Sequence, residues 1–136
     1  MEKITIEIDK DLNAVIYTLK GEVYYTELRA AIVDYYKGKL TKYTLWDFSG
    51  SNIAKYTSVL EARELGALVN KLGKARPGGF DLLVVSDMLQ YGLARMYAAY
   101  AEITNRDSAG LKAMVFREKG LALEWIRRNE ITKKDR

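Results

Sequence analysis

Two acidic side chains and one hydroxyl occupy the positions where chemistry is most easily built. Asp47 follows the β-rich run Tyr43-Thr44-Leu45-Trp46, and Asp87 follows the apolar run from Phe80 to Val85. Both therefore stand at the carboxyl ends of expected strands. In an open parallel sheet, ligands bind outside that edge, and two carboxylates there would suit magnesium, which takes oxygen ligands. No third acidic residue accompanies them. The simpler reading has Asp87 capping the helix that follows and Asp47 hydrogen-bonding its own loop, so neither a metal nor a cofactor is expected. Ser58-Val59-Leu60-Glu61 fits a capping box, in which hydroxyl and carboxylate each satisfy an orphan backbone N–H. The Ser58 hydroxyl would contribute roughly 1 kcal/mol to the helix in that role. The same position suits a phosphate, which the helix dipole and free N–H groups favour.

What the chain lacks narrows its chemistry further. It has no cysteine and no histidine, which excludes thiol catalysis, disulfides, Cys/His zinc sites and histidine-dependent nucleophiles. No nucleophile–base pair can be assembled from what remains, and a non-enzymatic role is expected. Gly78-Gly79 precedes a strand, whereas a phosphate-binding loop leads from a strand into a helix. Arg63 and Arg95 lie among apolar helix residues and read as solvated helix faces. The net charge is +4, and part of it lies in Arg127, Arg128, Lys133, Lys134 and Arg136. That pattern reads as a solvated helix end, so nucleic acid is not an expected partner. The start, Met1-Glu2-Lys3-Ile4, has no signal-peptide character and no later stretch approaches a membrane span; a cytoplasmic location is expected.

Ten tyrosines are an excess for 136 residues. Tyr35, Tyr97 and Tyr100 fall on apolar stripes and belong to the core. Adjacent residues do not share a helix face, so Tyr36 is expected to meet solvent, a partner or a groove. Tyrosine couples a large apolar area to a polar tip, which suits interfaces and pockets. The first expectation is a self-association surface, hence a homodimer. The second is a pocket between the first and third helices and the sheet edge, lined by Tyr24, Tyr35, Tyr91, Met96 and Tyr97, for an amphipathic or lipid-like molecule.

The elements that must position these residues follow from periodicity. Ile4, Ile6 and Ile8 alternate with polar residues, Asp9-Lys10-Asp11 turns the chain, and Val15, Tyr17 and Leu19 alternate again: an antiparallel hairpin. Leu28, Ala31, Ile32 and Tyr35 then take helical spacing up to Gly38. Tyr43 to Phe48 reads as an interior strand, and Ser49 to Asn52 as a loop. A second helix carries Ala62, Leu65, Leu68, Val69 and Leu72 and closes at Gly73. Arg76-Pro77-Gly78-Gly79 turns into a central strand from Phe80 to Val85. Leu89, Leu93, Met96, Tyr97, Tyr100 and Ile103 mark a third helix, with Gly92 and Ala99 as small positions for a close neighbour. A loop over 105–110, a strand over 113–116 and a helix around Leu121, Ala122, Trp125 and Ile126 complete the chain. The sum is one α/β domain over 1–136 with a frayed tail over 129–136. It is a hairpin followed by β–α units, giving a largely parallel five-stranded sheet packed with four helices.

Trp46-Asp47-Phe48-Ser49-Gly50, followed by a loop and a helix start at Thr57-Ser58, resembles the SpoIIAA-like fold of the STAS family of sulfate transporters and anti-sigma-factor antagonists. STAS domains carry a similar Asp-x-Ser-Gly here and an Asp-Ser-Ser at the next helix start. Tyr91-Gly92-Leu93-Ala94-Arg95-Met96-Tyr97, Val115-Phe116-Arg117 and Ala122-Leu123-Glu124-Trp125 resemble segments of an uncharacterised bacterial branch of this fold. The resemblance covers nearly the whole chain. It implies a regulatory, protein-binding domain switched by phosphorylation at Thr57 or Ser58, with an interaction surface of Asp47, Ser49, Tyr56 and Ser58. The sequence departs from the pattern at Lys55-Tyr56, where the preceding Asp is expected, and at Val59-Leu60, which replaces a small Gly-containing turn.

Overall fold

The computed structural model describes residues 2–102 and 111–134. Strands β1 (Ile4–Asp9) and β2 (Ala14–Gly21) are followed by α1 (Tyr25–Lys37), β3 (Tyr43–Ser51), α2 (Val59–Leu72), β4 (Phe80–Val84), α3 (Met88–Glu102), β5 (Lys112–Phe116) and α4 (Lys119–Lys134). Short 3₁₀ turns cover Ile53–Tyr56 and Gly73–Ala75. The strands lie in chain order in one sheet. β1 and β2 are antiparallel, and every later pairing is parallel. The expected loop over 105–110 and the stripe residue Ile103 lie outside the described residues.

Adding parallel strands always in one direction, with crossovers of one hand, puts the crossover helices on one face. The packing follows this rule. Val15, Tyr17, Leu19, Trp46, Phe48, Leu83 and Val85 share a core with Leu28 and Ile32 of α1, Leu65 and Val69 of α2, and Ala94 and Tyr97 of α3. The opposite face, with Ala14, Ile16, Tyr43, Leu45, Leu82 and Val84, packs on Ala122 and Ile126 of α4. Because strand side chains alternate, β3 and β4 are buried on both faces, as their near-continuous apolar runs require.

Two expectations about the helices need correction. Of the tail expected to fray over 129–136, the described part is helical: α4 continues through Lys134. The Tyr43 hydroxyl donates to Glu130 Oε1 at 2.6 Å and accepts from Asn129 Nδ2 at 2.8 Å, so this segment is tied to the sheet. The close helix approach also falls elsewhere. Nothing lies near a side chain placed at Gly92, and Ala99 is exposed, whereas a Cβ on Gly66 of α2 would stand 2.5 Å from the Tyr97 carbonyl oxygen and 2.7 Å from the Tyr100 Cβ. The α2–α3 contact is therefore set by Gly66.

Candidate functional site

The carboxyl ends of β3 and β4 meet the starts of α2 and α3 at one sheet edge. Below that edge lies a half-open apolar cleft of about 60 Å³. α1 supplies Leu28 and Ile32, α2 supplies Ala62 and Leu65, and α3 supplies Leu93, Ala94 and Tyr97. Trp46, Phe48, Leu83 and Val85 form the sheet wall, and Ile53, Ala54 and Thr57 close the side. Thr57 and Leu93 are half-buried and the other lining residues are buried, so the mouth opens between these two. The volume is several times the ~10–15 Å³ that one water needs, yet water needs two to four polar partners, and these walls offer few. The Trp46 ring stacks on Tyr17, centroids 3.9 Å apart, which fixes the floor. Burial first, then the nearby Tyr35 and Asp34, push the Tyr17 hydroxyl up to about 12.

Polar residues hold the rim. Gln90, on the first turns of α3, donates from Nε2 to the Phe48 and Ser51 carbonyls at 3.1 and 3.0 Å and accepts from the Ser86 N–H at 2.8 Å. It ties the end of β3 to the β4–α3 loop and lines the cleft. Asp47 Oδ1 accepts from the Ser49 N–H at 3.0 Å and the Ser49 hydroxyl at 2.6 Å, so both residues hold the end of β3, which runs on through Ser51 where a loop from Ser49 was expected. Asp87 Oδ1 accepts from the Gln90 N–H at 2.8 Å, the capping role expected of it.

At the start of α2 the capping box is complete. The Glu61 N–H donates to Ser58 Oγ at 3.1 Å, and the Ser58 N–H donates to Glu61 Oε1 at 2.9 Å. Ser58 is exposed; Thr57 donates from Oγ1 to the Ile53 carbonyl at 2.7 Å. The Tyr56 ring leans on Tyr24, and both hydroxyls donate to Glu22. Of the five pocket residues expected from sequence, only Tyr97 lines the cleft. Tyr24 is exposed beside Tyr56, Tyr91 lies under Arg117, and Met96 is half-buried away from the lining. Tyr35 stands behind it, in a polar cluster.

That cluster was not anticipated. Arg76, placed in a turn by the sequence reading, is buried. Its Nη1 donates to Tyr35 Oη at 3.1 Å and the Thr41 carbonyl at 3.3 Å, and its Nη2 to Tyr36 Oη at 3.3 Å and Thr44 Oγ1 at 3.2 Å. Thr44 Oγ1 donates in turn to Asp81 Oδ1 at 2.9 Å, and Tyr97 Oη donates to Asp81 Oδ2. A void of about 10 Å³ lies among these groups and shares Ile32, Trp46 and Tyr97 with the cleft. Burial pushes the Asp81 carboxyl up; Arg76 and the hydrogen bonds from Tyr97, Thr44 and Trp46 oppose the shift without cancelling it. Burial also raises Tyr36 to about 12 and pushes Tyr97 well above its ordinary value, with Asp81 adding to the latter. Burial works against the Arg76 charge, but Tyr36, Asp81 and Tyr35 outweigh it and its pKa is raised. The signal was present in the sequence as a lone Asp81 within an otherwise apolar central strand, where an unpaired charge is too costly to keep.

Comparison with known proteins adds the fold. No family model matches the chain, and no curated protein does. A crystal structure of an uncharacterised DUF3478-family protein with a SpoIIAA-like fold, from Shewanella loihica PV-4, superposes with a TM-score of 0.52. The two are 18% identical, over 90% of this chain and 91% of that one. The chain has a SpoIIAA-like fold. In this SpoIIAA-like chain the cleft lies beneath the β3–α2 loop, beside Ser58. No helix among the described residues is long and apolar enough to cross a membrane.

Proposed function

We propose that the chain is a non-enzymatic binding protein that takes the apolar part of an amphipathic small molecule into this cleft. The observation that carries the reading is the cleft itself: an apolar, half-open space at the carboxyl edge of a parallel sheet, where ligands of open α/β folds bind. Two features support it. Exposed Val59 and Leu60 begin α2 and exposed Met88 and Leu89 begin α3, at the same sheet edge. Both Asp81 oxygens and both Arg76 Nη atoms already have partners in Thr44, Tyr97, Tyr35, Tyr36 and the Thr41 carbonyl, and of these buried groups Arg76 Nε alone has none, so the polar end of the ligand belongs at the mouth. A thermal-shift series with straight-chain alkyl carboxylates and alcohols tests this. The melting temperature should rise with chain length and saturate by mass action. Ala94→Phe, which fills the cleft, should abolish that rise. A wild-type protein indifferent to every chain length, or an equal rise in the variant, contradicts the reading.

A second reading, a regulatory protein-interaction domain, is favoured by the exposed Ser58, Val59 and Leu60 on one helix start. Phosphorylation of Ser58 would set a dianion against the free N–H groups of α2. A phosphate found by mass spectrometry on Thr57 or Ser58 of protein purified from its source would favour it; an unmodified chain would count against the switch.

A further inference from the structure

The outer edge of β1 carries the strongest feature the cleft does not use. Its backbone orientation follows from one hydrogen bond. The Lys20 N–H donates to the Lys3 carbonyl at 2.8 Å, so Lys3 turns its carbonyl toward β2. Alternation along an antiparallel ladder then turns Thr5, Glu7 and Asp9 toward β2, and leaves the N–H and C=O groups of Ile4, Ile6 and Ile8 pointing outward. The same three side chains share a face, opposite Leu19, Tyr17 and Val15. Ile6 is 62% and Ile8 65% exposed. Edge strands are ordinarily blunted by proline, a bulge or inward charge. β1 has no proline, and its register with β2 is unbroken.

We propose that β1 pairs antiparallel with β1 of a second copy, on a two-fold axis at Ile6, making one continuous sheet. Symmetry and hydrogen-bond parity leave few registers. Centring on Ile6 sets Ile4 opposite Ile8 of the second copy and Ile6 opposite its own equivalent, so all three outward-facing residues find partners. Centring on Thr5 instead sets Ile8 against Glu2, and centring on Glu7 sets that carboxylate against itself. The Ile6 register also matches charge at both ends. Glu2 faces Lys10, and Lys3, whose exposed ammonium lies 3.4 Å from Glu27, faces Asp9. Cross-strand pairs of opposite charge and of β-branched residues are the ones that stabilise a seam.

Sedimentation velocity on the full chain, over a wide concentration range, tests the proposal. A reversible dimer is expected. Ile6→Pro removes an outward N–H without touching the β1–β2 ladder and should leave a folded monomer by circular dichroism. Ile6→Lys, which keeps that N–H, should also be monomeric. Lys10→Glu should weaken the dimer roughly three- to tenfold, and Glu2→Lys with Lys10→Glu should restore it. A wild-type chain that stays monomeric at millimolar concentration overturns the proposal, as does a dimer that survives both Ile6 substitutions.

Discussion

At the residue scale the decisive group is Asp81. It is a carboxylate in the middle of a central strand, and it survives there because Thr44, Tyr97 and Trp46 donate to it and Arg76 balances its charge. Tyr97→Phe removes one of the donors to the buried Asp81 carboxyl. The expected cost is about 1–3 kcal/mol, read by urea unfolding, with the Asp81 pKa driven higher still. The pH dependence has a definite sign. The folded pKa of Asp81 lies above its ordinary 3.8, so the folded state holds this proton more tightly than the unfolded one. Its contribution is fully present below about pH 4 and is lost as pH rises through the folded pKa. The stability of the wild type relative to Asp81→Asn should therefore fall from about pH 4 upward and then level off. Paired urea titrations would show it, and a difference that rose with pH would contradict the assignment. A lone aspartate in an apolar run signals such a cluster, but its other members come from α1, the loop before β3, β3, the turn before β4, and α3. Tyr35, Thr41 and Arg76 carry no pattern that links them before the chain folds.

At the scale of elements, strands and helices were legible because their periods were clean: alternation in Ile4 to Ile8, helical spacing from Ala62 to Leu72, and a capping box at Ser58. Ser58→Ala should cost α2 about 1 kcal/mol. Which faces meet was less legible. Gly92 looks like a contact point from its own helix, yet the approach is made by Gly66, because a single helix does not declare which stripe its neighbour will use. Two effects compete in Gly66→Ala. Helix propensity favours alanine by up to about 1 kcal/mol, while the new methyl would overlap a backbone carbonyl of packed α3. Overpacking of that kind costs about 1–3 kcal/mol, and a backbone atom yields less than a side chain, so net destabilisation is expected. Chemical denaturation with an unchanged slope would confirm that only stability moved.

At the scale of the whole molecule, the sheet order puts α1, α2 and α3 on one face and opens a cleft where β3 and β4 end. The sequence could announce a ligand edge, since parallel strands imply one. It could not announce the lining. Tyrosines were the visible signal, but Tyr24 and Tyr91 went to the surface and to the rim of the core. The walls are mostly leucine, isoleucine, alanine, valine and phenylalanine, indistinguishable by type from core residues. Trp46 is the exception, and it provides the direct test of ligand binding. In a Trp125→Phe background it is the sole indole, seated on the cleft floor against Tyr17. Titrating that protein with a medium-chain alkyl carboxylate should change the Trp46 emission saturably, and the change should vanish when Ala94→Phe fills the cleft. Emission that does not respond, or that responds equally with the cleft filled, would contradict the account.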